Sequence, residues 1–375
     1  MAHTFGPHWN VVIQQITYAS FDLMGLIAVI GISYNLTKSY GDVAPLPAAL
    51  VAMCGFFLTI PFSMHKDGTF WIPLDQLGST GLFIAIIIGL FLTDLYVWMV
   101  HKKITIKMPA SVPPAVSDSF TALFPGFFCL LLVWVIRMGV SFTPIETIPN
   151  LMQFIFKPLS VVGTSLPGAL ICEFLVSFLW IFGIHGANVV SGVMTAIWLA
   201  AMQQNAVAFA AHKALPNIVT QQFFDNFVHI GGSGATLGLA IMMIMFAKSD
   251  EYKTLAKLEI APAFFNINEP LVFGFPVVMN PFIAVPFIVA PLLNVLITYF
   301  AMASGIVAKT IGIMVPWTTP AIISGYLATG HISGAVLQAV LIAVDSLVYV
   351  YFFKKADKRK VQAQMANAKK AETQA

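Results

Sequence analysis

Charge is what this sequence has least of. Of 375 residues, 19 are Lys or Arg and 16 are Asp or Glu, 9% in all, where an average soluble chain carries ~25%. With 58% hydrophobic residues, there is more apolar surface than one or two soluble cores of this size can hide. The shortage excludes an ordinary cytosolic enzyme, a disordered chain and a nucleic-acid binder. Cysteine is scarce too. Cys54, Cys129 and Cys172 lie inside apolar runs without CxxC or Cys/His spacing, and read as small buried hydrophobes rather than disulfide partners or metal ligands. No basic segment followed by a short apolar core and a cleavage site opens the chain, so no signal peptide is expected.

What is present is a recurrence of apolar runs of about membrane length. The fold class expected is an all-α polytopic membrane protein, because only helices and closed barrels satisfy their backbone in lipid. Nine transmembrane helices are read at 19–38, 46–64, 79–100, 120–140, 166–185, 188–211, 233–247, 282–303 and 334–353. Two further apolar stretches, 263–280 and 305–330, are interrupted by Pro262, Pro270, Pro276 and Pro281, and by Gly312, Pro316, Pro320 and Gly325. Broken apolar backbone is tolerated only where it lines a cavity or packs inside protein, so these read as two re-entrant broken-helix hairpins.

The little charge there is falls unevenly. The tail 354–375 holds seven Lys/Arg and two acids, a net of +5, leaving −2 for the rest. Lys102, Lys103 and Lys107, then Lys248, Lys253 and Lys257, then this tail follow the third, seventh and ninth spans, which puts all three on the cytoplasmic side. Nine crossings then place the C-terminus inside. Between the halves, 143–164 suits an amphipathic interfacial connector, although an ordinary loop fits the pattern as well. The expected organisation is 1–142 N-terminal helices, 143–164 connector, 165–353 transport half and 354–375 basic tail.

Ionisable groups in apolar sequence are costly and mark function. The sharpest lie in Phe264–Pro276, where Asn268 and Glu269 precede Pro270 in the middle of a broken segment. Pro270 cannot donate a backbone hydrogen bond and biases Glu269 away from helix. The turn should expose carbonyls and aim the carboxylate into a cavity, an arrangement suited to a polyol; a helix-terminal acid at the water interface is the plainer alternative. In Trp180–Asn188, Gly183 and Gly186 flank His185, and Trp180 offers a flat face of the kind that stacks on a pyranose; His185 is either a proton relay or a structural helix-end residue. Asp225–Thr236 carries Gly231, Gly232 and Gly234 but lacks the lysine of a nucleotide-binding loop, so a hairpin tip or tight helix crossing is expected. Trp317, with Thr318 and Thr319, sits in the second broken segment. Asp75, Ser79 and Thr80 are weaker candidates for a cavity or a cap. Arg137 is expected to snorkel, and Asp94 and Asp345 to pair inside the bundle with partners the sequence does not identify.

The run INEPLVFGFPVVMNP (Ile267–Pro281) resembles the signature of the sugar-specific enzyme IIC permeases of the bacterial phosphotransferase system, the lactose/cellobiose/chitobiose branch most closely. The likeness extends through GIHGANVVSGVM (Gly183–Met194), FVHIGGSGATLGLA (Phe227–Ala240), IKMPASVPPAVSDSFTALFPGF (Ile106–Phe127) and YNLTKSYG (Tyr34–Gly41), nearly the whole chain in family order. The resemblance implies a homodimer in the bacterial inner membrane, dimerising through its first helices and moving sugar with the second half. It implies no cofactor and no metal. A β-linked disaccharide would be phosphorylated by a phosphocysteine on a separate enzyme IIB, itself charged through enzyme IIA. Glu269 and His185 would be the catalytic and sugar-binding pair, with Asn268, Trp180 and Trp317 lining the pocket. It also implies one further helix ahead of this chain's first. Two other readings stay open: a gradient-driven sugar transporter, and a truncated paralogue that partners a full-length permease.

Overall fold

The structure, a computed structural model, describes residues 19, 21–64, 68–78, 81–106, 114–275 and 277–374. Lys107, Ser79, Thr80 and Pro276 lie outside these. Apart from a two-residue ladder between β1 (Ser63–Met64) and β2 (Phe70–Trp71), the regular elements are helices. The chain divides into two compact units, Met1–Pro158 and Leu159–Ala375.

The first unit contains α1 (Met24–Tyr40), α2 (Pro45–Thr59), α3 (Leu82–His101), α4 (Pro114–Ser141) and the start of α5 (Ile148–Gly163). Their apolar faces meet around Val29, Ala52, Phe56, Leu92 and Tyr96. Lipid tails supply no hydrophobic drive between helices, so close approach of small residues carries much of the packing. Gly55 sits against Leu92 and Gly89 against Ile32. The polar groups are paired locally: Thr93 Oγ1 donates to Ser33 Oγ at 2.6 Å, and Tyr40 Oη donates to Asp94 Oδ1 at 2.7 Å, which supplies the Asp94 partner. Arg137 Nη1 donates to the Leu58 carbonyl at 3.1 Å and lies over the Phe62 ring. Cys54 is exposed on the outer face of α2, whereas Cys129 is buried; an apolar run in a membrane protein has a lipid-facing side, so it does not imply burial.

The second unit contains α6 (Leu166–Ile181), α7 (Gly186–Ala210), α8 (Leu237–Phe246), α9 (Asp250–Phe264), α10 (Glu269–Gly274), α11 (Pro281–Ala303), α12 (Ile323–Thr329) and α13 (Ile332–Gln374). Both broken apolar stretches are irregular backbone around one short helix, α10 and α12. Amide side chains satisfy the freed backbone groups, as burial demands. Gln338, fully buried, accepts from the Ile322 and Gly325 N–H groups at 2.5 and 2.8 Å and donates to the Asn226 carbonyl at 2.5 Å. Gln222 accepts from the Val315 N–H at 3.1 Å, and Asn205 donates to the carbonyls of Asn217 and Thr310 at 2.9 Å each. Asp345 finds Asn294, whose Nδ2 donates to it at 3.1 Å.

Among the described residues five helices are long and apolar enough to cross a membrane, by length and composition: α3, α7, α11, Phe120–Ser141 of α4 and Ile332–Asn367 of α13. A sixth arises if α5 and α6 form one bent span. The nine expected spans include α1 and α2, of 17 and 15 residues. Helix α8 has only 10, about 15 Å at 1.5 Å per residue, because the run 233–247 begins with an unwound glycine loop. Helix α9 carries Asp250, Glu251, Lys253, Lys257 and Glu259 and is too polar for a span.

Candidate functional site

The second unit encloses a cavity of about 430 Å³, and Trp180, His185, Asn268, Glu269 and Trp317 all line it. Each is delivered by an interruption in a helix. Helix α6 ends just after Trp180, and Gly183, at φ 75°, turns the chain. His185 then caps α7: its Nδ1 accepts from the Asn188 N–H at 3.2 Å. Gly186 must lack a side chain, since a Cβ there would lie 2.0 Å from the Val176 carbonyl oxygen. The Trp180 ring, 3% exposed, lies 4.6 Å from the His185 ring, centroid to centroid.

The cap decides the histidine's chemistry. A nitrogen that accepts an N–H carries no proton, so in the neutral ring the proton sits on Nε2, which is then a donor. Protonating Nδ1 would cost the cap.

Glu269 and Pro270 open α10. Three residues ahead of Glu269, Asn266, at φ 62°, joins three segments: its Oδ1 accepts from the Gly231 N–H at 2.7 Å, and its Nδ2 donates to the carbonyls of Trp317 and Thr319 at 2.5 and 3.2 Å. Asn268, 4% exposed, donates through Nδ2 to the Ser233 carbonyl and Thr236 Oγ1 at 2.7 and 2.8 Å. Its amide donors are therefore spent on holding the glycine loop. That loop takes positive φ at Gly231, Gly232 and Gly234. At Gly232 (φ 93°) a Cβ would sit 2.5 Å from Asn268 Cγ, so conformation and space both demand glycine.

A second polar group meets the cavity through Asp225 and His229. His229 Nε2 lies 2.7 Å from Glu173 Oε2, Glu173 is fully buried and takes a second hydrogen bond from Ser177 at 3.2 Å. Asp225, bound by Gln221 Nε2 at 2.9 Å, lines the cavity with His229, Asn188, Ser191 and Ser233. Glu173 was legible as a lone acid in an apolar helix, but its histidine lies 56 residues on, and nothing local joins them. Among the described residues no group of three His, Cys, Asp or Glu is placed to hold a metal ion.

The family described as "Phosphotransferase system, EIIC" matches residues 1–291. The chain belongs to this family. Among its EIIC relatives, the "Lichenan permease IIC component" of Bacillus subtilis (strain 168) is 47% identical, over 96% of this chain and 82% of that protein. The "PTS system cellobiose-specific EIIC component" of Geobacillus stearothermophilus is 44% identical, over 98% of this chain and 84% of that protein. The crystal structure of the transporter ChbC, "the IIC component from the N,N'-diacetylchitobiose-specific phosphotransferase system", superposes with a TM-score of 0.92 at 44% identity, covering 97% of this chain and 87% of that one. As an EIIC protein the chain is a multi-pass integral protein of the bacterial inner membrane and the permease part of a sugar-phosphorylating system.

Proposed function

We propose that the chain imports a β-linked disaccharide of the cellobiose or chitobiose type and presents it for phosphorylation by a separate enzyme IIB. The observation that carries this reading is the cavity itself. It brings Trp180, Trp317, His185 and Glu269 to one place, two flat aromatic faces with an amphipathic donor and a carboxylate, as pyranose recognition requires. The names and likeness of the relatives supply the sugar class.

The roles follow from the hydrogen bonds. Phosphoryl transfer needs a hydroxyl held in line with the phosphorus and a base for its proton. The sugar O–H bond breaks as its oxygen bonds to phosphorus and the phosphorus–sulfur bond of the donor thiolate breaks. The proton passes to Glu269. His185, with its proton on Nε2, donates to a sugar oxygen rather than serving as the base. Trp180 and Trp317 flank the rings, while Asn268 positions the glycine loop, and the imidazole of His229, fixed by Glu173, offers the far end of the sugar a polar contact.

In this reading 1–142 is the dimerising half, 143–164 the amphipathic connector and 165–353 the transport half. The shorter helices α1, α2 and α6 count as spans, 263–280 and 305–330 are re-entrant, and the C-terminus is cytoplasmic. Membranes containing the chain, given phosphoenolpyruvate and the soluble phosphotransferase proteins with a matched enzyme IIB, should phosphorylate members of a β-disaccharide panel. The Glu269→Gln variant should lose about 10²-fold or more in rate, the scale of a lost general base, while remaining folded in the membrane. Uptake without enzyme IIB and without phosphorylated product would favour a gradient-driven carrier instead.

A further inference from the structure

A second carboxyl stands behind Glu269, outside the cavity wall. The buried face of α9 is the stripe Tyr252, Ala256, Glu259 and Ala263, spaced four, three and four, as one helix face requires. Three of these are ordinary packing residues. Glu259 is fully buried, and neither of its carboxyl oxygens has a hydrogen-bond partner. The Leu271 N–H lies against it without meeting hydrogen-bond geometry, and already donates to the Asn268 carbonyl at 3.0 Å. The charge that acts on Glu259 is that of Glu269, on the adjoining α10.

Among the described residues no cation offsets this. Helix α8, packed against α9, contains no ionisable residue. From α13, Asp357 accepts from the Ser249 N–H and Oγ at 2.9 and 2.7 Å, and Lys360 pairs with Glu251 at 2.8 Å, both at the far end of α9. Lys253 and Lys257 face outward. An ionised carboxylate in that position would be buried, unpaired and beside a like charge, the three conditions that favour the neutral acid.

We propose that Glu259 is a positioning residue for phosphorylation: as a neutral acid beside Glu269 it holds the one proton of a carboxyl pair and leaves Glu269 as the charged member that receives the hydroxyl proton. The inference rests on the reading of Glu269 as that acceptor. Burial, and after it the charge of Glu269, pushes the Glu259 carboxyl up to about 8. The arrangement also suits the donor. A phosphoryl group arrives negatively charged, and one carboxylate near it repels it less than two.

Infrared spectroscopy of the full chain in lipid tests the pair without any transport assay. The wild-type minus Glu259→Gln difference should contain the C=O stretch of a protonated buried carboxyl at neutral pH, vanishing with a midpoint near pH 8. In Glu269→Gln, with the like charge removed, that midpoint should move down. Absence of the band at neutral pH, or a midpoint indifferent to Glu269→Gln, overturns the pair. Should Glu259→Gln fail to fold, the same titration on wild type and Glu269→Gln with isotope-labelled glutamate decides. Phosphorylation tests the role: the wild-type rate should fall about tenfold per pH unit above 8, as for loss of one essential proton, and Glu259→Gln should lack that alkaline limb. An unmoved limb overturns the positioning role even if the infrared pair stands. Phosphorylation surviving in Glu269→Gln overturns the reading of Glu269 instead.

Discussion

Two residues of the same type, ten apart, have opposite surroundings. Glu269 opens onto a cavity, while Glu259 is enclosed with nothing to bond. The consequence for stability has a definite sign. Glu259 keeps its proton up to about pH 8 when folded, against an ordinary value of 4.5. Between those values the unfolded chain has released a proton that the folded chain retains, so stability falls as pH rises through this window and levels off above it. Thermal unfolding in detergent from pH 5 to 9 should show this decline in wild type, with a shallower one in Glu259→Gln; equal slopes would mean that Glu259 ionises freely. Sequence reading found Glu269, because Asn-Glu-Pro in an apolar stretch is a local signal. It passed over Glu259, since an acid in a helix with four other acidic and basic residues looks solvated until the packing shows which face it is on. His185 was legible as a polar group between glycines, but its cap, and so its proton position, depends on where α7 begins.

At the scale of elements, the cavity is built from helix ends and unwound loops rather than from helix faces. Pro270, Pro316 and Pro320 lie at or in the breaks, since proline removes a donor, whereas Pro262, read as an interruption, sits inside α9, which runs on to Phe264. The means of satisfying the freed backbone was not legible in the sequence, since Gln222, Gln338 and Asn205 meet backbone up to 112 residues away. The glycine loop makes a sharp prediction. Gly232→Ala would need a Cβ 2.5 Å from the Asn268 side chain at φ 93°, a strain on the order of 1–3 kcal/mol before any displacement of Asn268. Its melting temperature should drop and sugar binding should weaken. Alanine at Gly305, also at positive φ but with open space around it, should cost only the backbone term.

Across the whole molecule, composition alone gave the class: too little charge and too much apolar length for anything but a polytopic helical protein. The count of spans was less legible. Hydropathy sums over glycine loops and half-helices alike, so α8, ten residues long, was merged with the loop before it. The charge pattern predicts orientation for the whole chain. A reporter that fluoresces only in the cytoplasm, fused after Ala375, should be bright, and an enzyme active only outside should be silent there. The reverse result would invert every loop assignment drawn from Lys102, Lys248 and the tail.

Asn266 touches the glycine loop, the Trp317 segment and the start of the Asn-Glu-Pro turn through a single side chain. Three stretches far apart in sequence therefore share one fastener, and a change in any of them is felt by the other two. The shape of the cavity therefore rests on this seam, in which Asn266 is itself a lining residue. Re-tailoring the cavity for a different glycan should begin with substitutions that leave Asn266 its three backbone partners, because a variant that frees one of them alters the shape of a wall it never touches.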